Sequence, residues 1–153
     1  MQKLELKIPP LLVVFVIAGI MLGLARLVPG LSFGLAGKSF IAPVLVLVGG
    51  ALAVAGVMVF RFRKTTVNPL DPSATSTFVS EGVYRFSRNP MYLGFLVILA
   101  GWAVYLSHAG AVMLLPVFVA YMTQFQIKPE ERALLEKFGP EFSRYMSRVR
   151  RWL

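Results

Sequence analysis

From residue 93 to residue 127 the chain runs for 35 positions without a lysine, arginine, aspartate or glutamate. A soluble domain, about a quarter of whose residues are charged, rarely has a place for such a run. A bilayer-spanning helix takes about 20 apolar residues, within a range of about 17–25. The run is therefore too long for one span and fits two. The polar pair Ser107-His108, followed by Ala109-Gly110, supplies a tight turn between them.

Two further tracts have the same character. Residues 11–28 carry only Arg26, and residues 41–60 carry no charge at all. The reading is an all-α integral membrane helical bundle in one domain, 1–153, with spans at about 10–28, 41–60, 90–106 and 110–127. A signal peptide is the other use of an early apolar tract. Here the tract exceeds the usual h-region of about 7–15 residues, and the small-residue stretch Gly34-Leu35-Ala36 lies well beyond it. Hydrophobic residues make up 57% and charged residues 15%, with mean hydropathy +0.71, which excludes disorder and collagen. With no cysteine and one histidine, there is no thiolate nucleophile, no disulfide scaffold and no metal cluster to expect. The spans hold no carboxylate or lysine of the sort that proton pumps and voltage sensors use. Small residues at Gly19-x-x-x-Gly23, at Gly49-x-x-x-Ala53 and at Gly94 and Gly101 offer faces for close helix packing.

The net charge of +9 would suit nucleic acid, but its distribution points to a membrane instead. If the spans alternate, fourteen basic residues fall on one side: Lys3, Lys7, Arg61, Arg63, Lys64, Arg85, Arg88, Lys128, Arg132, Lys137, Arg144, Arg148, Arg150 and Arg151. Only Arg26 and Lys38 fall on the other. Basic loops stay inside, so both termini and the segments 61–89 and 128–153 are expected in the cytoplasm. The bilayer is the expected partner, with no nucleic acid. Oligomeric state is not legible.

The polar chemistry gathers in those two segments. Pro90 suits the first turn of a helix, and Asn89 is placed to cap it. Arg88, Asn89 and Tyr92 would then stand at the membrane surface. After the fourth span come Glu130-Glu131 and an apolar stripe of Leu134, Leu135 and Phe138. Gly139-Pro140 interrupts that stripe before Phe142, Tyr145, Met146 and Val149 repeat the spacing. Two short interfacial amphipathic helices are expected. Adjacent helical residues point about 100° apart, so one glutamate is expected to face the bundle and its neighbour water.

The run Arg88-Asn89-Pro90-Met91-Tyr92-Leu93-Gly94, an apolar hairpin, and then Glu130-Glu131 with Leu134, Phe138, Phe142, Tyr145 and Val149 resembles the isoprenylcysteine carboxyl methyltransferase and phospholipid methyltransferase superfamily. The resemblance covers roughly 61–151, including the 65–69 stretch and Gly82-x-Tyr84-Arg85. It implies an integral membrane methyltransferase using S-adenosylmethionine and acting on a lipophilic acceptor. It further implies that Arg88, Asn89, Pro90, Tyr92, Glu130, Glu131, Tyr145, Arg144 and Arg148 enclose the cofactor. Glu130 or Glu131 would meet the cationic end or act as base. Arg88, Arg144 or Arg148 would meet the methionine carboxylate, and Tyr92 and Tyr145 the adenosine. Asn89 stands where the prenylcysteine branch usually has histidine, which favours the phospholipid branch and its bacterial relatives. A non-catalytic membrane scaffold and an NADPH-dependent sterol-reductase-like enzyme are the rival readings.

Overall fold

The computed structural model describes residues 5–62 and 79–153. Lys3, Arg63, Lys64, Asp71 and the 65–69 stretch lie outside the described residues. Five helices carry the fold: α1 (Pro10–Leu27), α2 (Lys38–Phe62), α3 (Pro90–Leu106), α4 (Ala109–Met122) and α5 (Lys128–Arg148). Three helical stretches, Pro10–Leu27, Lys38–Val59 and Ala109–Arg148, are long and apolar enough to cross a membrane. The fourth, α3, has 17 residues, about 25 Å at 1.5 Å per residue, and is the most enclosed.

The helices alternate in direction. At one end Leu6 N–H donates to the Phe125 carbonyl at 3.1 Å, and the Gln126 side chain donates to the Ile8 carbonyl at 2.7 Å. At the other end Phe33 N–H donates to the Ser107 carbonyl, and His108 Nε2 lies 2.9 Å from the Val28 carbonyl. The described parts of both terminal segments therefore share one end, with the start of α3 and the end of α2.

Glycine decides how α2 meets α3. A Cβ on Gly94 would lie 2.5 Å from the Gly49 carbonyl oxygen, and one on Gly49 would lie 2.6 Å from that of Gly94. The two backbones touch there, as the small-residue pattern predicts. Gly101 meets the Ala42 carbonyl in the same way. The expectation for Gly19 and Gly23 is corrected: no atom lies within 4 Å of a Cβ at either position. The packed face of α1 is instead Val13, Val14, Ile17 and Met21, while Leu11, Leu12, Phe15 and Val16 are exposed. In a bilayer that exposed face meets lipid, where apolar surface costs nothing.

The hairpin between α3 and α4 turns at Ser107, whose φ of 49° is left-handed and whose hydroxyl bonds the Val104 carbonyl. The passage from α4 to α5 is continuous through a π-turn, Thr123–Ile127. Pro129 has no N–H for the carbonyl four residues back, Phe125, and Leu6 N–H takes that carbonyl instead. The N-terminal segment thus repairs the helix at the place where the paired glutamates begin. Gly139, at φ 51°, breaks α5 before Pro140, where sequence places the interruption.

Candidate active site

The start of α3 and the start of α5 meet at the end shared by the termini. Tyr92, one turn into α3, is 4% exposed and donates its hydroxyl to Glu130 Oε1 at 2.5 Å. Glu131, also buried, takes three contacts from two arginines. Arg151 grips it through Nε at 3.1 Å and Nη2 at 2.6 Å, and Arg88 Nη1 lies 3.0 Å from Oε1. The expectation that one glutamate faces water is corrected. Glu130 turns toward α3 and Glu131 toward the turn before it, so the two walls of one cleft take both.

Asn89 is corrected as well. It occupies the N-cap position of α3, but its side chain makes no capping bond. Its Nδ2 donates instead to the Arg151 carbonyl at 2.9 Å, while its own N–H is taken by Ser87 Oγ at 3.1 Å. Leu93 N–H reaches the Asn89 carbonyl, and Pro90 needs no N–H partner, so the first turn of α3 loses little.

Electrostatically the cleft is uneven. Glu130 is pushed up to about 8, because burial disfavours its charged form more than the Tyr92 bond favours it, and the neighbouring Glu131 adds to the rise. The Arg88–Glu131–Arg151 triad sums to +1. Arg88 is nearly buried, at 11% side-chain exposure, and its Nε and Nη1 make no aligned hydrogen bond among the described residues. Such a guanidinium is set to take a carboxylate or phosphate oxygen.

Tyr145 connects this cleft to the surface. Its hydroxyl donates to the Tyr84 carbonyl at 2.7 Å. Burial pushes the phenols of Tyr84 and Tyr145 up. Beyond Tyr145 opens a cavity of about 620 Å³, lined by Ser80, Arg85, Glu141, Arg144, Arg148 and Val149. So Arg88, Asn89, Pro90, Tyr92, Glu130, Glu131 and Tyr145 come together, whereas Arg144 and Arg148 stand on the rim of the adjoining cavity. Sequence reasoning quoted Tyr84 only within a motif, without a role at the site, and it counted Arg151 only as a topological charge. It also missed Trp152, whose indole N–H donates to Thr123 Oγ1 at 3.1 Å beside the π-turn. Among the described residues no cluster of His, Asp and Glu could hold a metal.

The sequence pattern that defines the phospholipid methyltransferase family matches residues 38–141, which takes in α2 as well as the motifs around α3 and α5. Methanethiol S-methyltransferase 1 of Bradyrhizobium diazoefficiens is 33% identical over 122 residues, covering 79% of this chain and 41% of that protein. An uncharacterized protein of Haemophilus influenzae is 44% identical over 63 residues, its whole length and 41% of this chain. No solved structure matches. With the apolar helices and the family pattern agreeing, the chain is an integral membrane protein, and its relatives support a methyltransferase. It belongs to the phospholipid methyltransferase family.

Proposed function

We propose that the chain is an S-adenosylmethionine-dependent methyltransferase whose acceptor partitions into the membrane, and that its cleft faces the cytoplasm. The observation that carries this is the pairing, at one site, of a half-buried carboxylate on Tyr92 with a nearly buried guanidinium short of hydrogen-bond partners. S-adenosylmethionine presents the complementary set: a sulfonium, an amino group and a carboxylate. Arg88 would hold the carboxylate. Glu130 would face the cationic end, and Tyr145 would offer a ring to the nucleoside. When bound, the cofactor would supply an electrophilic methyl group for in-line transfer, with its sulfur leaving as a thioether.

The chain's own residues then have modest tasks. Alignment of nucleophile and methyl group supplies several kcal/mol by proximity alone. A thiol or ammonium acceptor must also lose a proton. A cofactor cation beside Glu130 would favour its ionised form, which could then accept the proton at Oε2 while Tyr92 fixes Oε1. Glu131 is committed to its two arginines, so its role is to hold Arg88 in place rather than to act as base.

A lipophilic acceptor would enter sideways from the bilayer, past the apolar residues of α3 and α4. The relative named for methanethiol favours a small hydrophobic thiol, and the family name a lipid headgroup. Transfer of tritiated methyl from S-adenosylmethionine tests the reading, with membrane-soluble thiols, phospholipids and water-soluble thiols supplied at matched concentration. The expected result is labelling of the membrane-soluble sets. Efficient labelling of the water-soluble set alone would overturn it. Binding of NADPH and not of S-adenosylmethionine would favour the reductase reading, and binding of neither would favour a scaffold.

A further inference from the structure

After α5 the chain does not run off into solvent. Val149 is extended, with φ −117° and ψ 130°, and the last residues fold back across the cleft. Contacts to four partners hold them. Arg88 N–H donates to the Arg150 carbonyl at 3.0 Å, and Asn89 Nδ2 donates to the Arg151 carbonyl. Arg151 clasps Glu131, and Trp152 reaches Thr123. All four partners lie on the cleft or on the π-turn beside it.

The electrostatics let a ligand strengthen this docking. Two guanidiniums converge on one carboxylate, one from the fixed wall and one from the tail. Each is drawn to Glu131, at 3.0 and 2.6 Å, and their repulsion across it takes back part of that attraction. A ligand carboxylate at Arg88 would bring the cluster to neutrality and favour the docked tail. By linkage, a docked tail would favour the ligand by the same factor.

We propose that residues 149–153 form a strap over the cleft that a ligand carboxylate at Arg88 holds shut, with Arg151 as its positioning residue. The proposal rests on the cofactor reading above. It makes the amino-acid end of the ligand, not its nucleoside, the signal for closure. Exchange of product for fresh cofactor then requires the strap to lift, and Arg151 acts through Glu131 rather than on the reacting atoms.

Trypsin reads the strap directly, because it cleaves after Arg150, which is exposed at the surface. The full-length protein in detergent would be digested alone, with S-adenosylhomocysteine, or with 5′-methylthioadenosine, which lacks the amino-acid end. Cleavage would be followed by mass spectrometry, and binding by calorimetry on the same samples. S-adenosylhomocysteine should slow cleavage after Arg150 at least about fivefold, the low end of ordinary coupling between sites. Methylthioadenosine should give no protection, and Arg151→Gln should be cleaved after Arg150 at one rate with or without ligand. Binding of S-adenosylhomocysteine with no change in cleavage would overturn the strap and leave the cofactor reading standing. Equal protection by methylthioadenosine would overturn the role of the carboxylate. Absence of S-adenosylhomocysteine binding would overturn the cofactor reading and the strap with it.

Discussion

Glu131→Gln and Glu130→Gln change neighbouring residues in the same way, and the structure predicts opposite consequences for them. Glutamine keeps the size of Glu131 but removes the charge that faces Arg88 at 3.0 Å and Arg151 at 2.6 Å. Arg88, 11% exposed, is left without its counter-charge. Breaking a buried pair from one side costs about 3–5 kcal/mol. Arg151 is 32% exposed, so its share falls toward the surface range of about 0–1 kcal/mol. The loss should therefore be about 3–5 kcal/mol, mostly through Arg88, and should lower the thermal midpoint by roughly 10 °C. Glu130→Gln leaves an amide oxygen to accept from Tyr92 and removes a charge that burial opposes. Near pH 4, where Glu130 is protonated, its effect on stability should be within about 1 kcal/mol. Its effect on binding should be the larger one, with S-adenosylmethionine weakened by about 1.5–3 kcal/mol, the range for a hydrogen bond to a charged group. Thermal unfolding in detergent, followed by the fluorescence of Trp102 and Trp152, measures the first quantity. Calorimetry measures the second. Equal losses of stability in the two variants would refute the division of labour between the glutamates.

Three further outcomes are expected. Glu130 is raised from 4.5 to about 8, so the fold binds its proton more tightly than the unfolded chain does. Its contribution to stability is fully present below about pH 4.5 and is lost as pH rises toward 8. Glu130→Gln should flatten the thermal midpoint across that window, and an unchanged slope would count against the burial argument. Gly94→Ala, which drives a methyl group to 2.5 Å from the Gly49 carbonyl, should cost about 1–3 kcal/mol. Gly19→Ala, with open space around it, should be neutral or stabilising by about 0.4–1 kcal/mol, and thermal unfolding compares the two. Reporter fusions after Lys38 and at the C-terminus should report opposite sides of the membrane, and agreement between them would defeat alternating spans.

Much of this architecture was legible in residue order. An uncharged run of 35 residues broken at Ser107-His108 can hardly be anything but a hairpin, and Pro90 marks the start of α3 in sequence and structure alike. The motif residues from Arg88 to Tyr92 and the pair Glu130-Glu131 do converge. Their partners were not legible, because they depend on how the chain returns on itself. Nothing local distinguishes Arg151 from Arg148 or Arg150, yet only the fold-back after Val149 carries it to Glu131. Asn89 looks like a cap because cap geometry is local, and the backbone of the tail outcompetes the helix for its side chain. Gly19 and Gly23 carry the same small-residue pattern as Gly49 and Ala53. Which pattern is used depends on which face of each helix the bundle turns inward, and single-helix spacing does not encode that.

The central claim is that the Tyr92–Glu130 and Arg88–Glu131 pairs form one cofactor cleft, with Glu130 facing the cofactor's cationic end. Calorimetric titration of the detergent-purified chain with S-adenosylmethionine tests it most directly, run side by side on the unaltered protein and on Glu130→Gln. The account predicts one site per chain in the unaltered protein and affinity lower by about tenfold or more in the variant, as a lost charge-assisted contact requires. Folded protein that takes up no S-adenosylmethionine, or that binds it equally well with and without the Glu130 carboxylate, would contradict it.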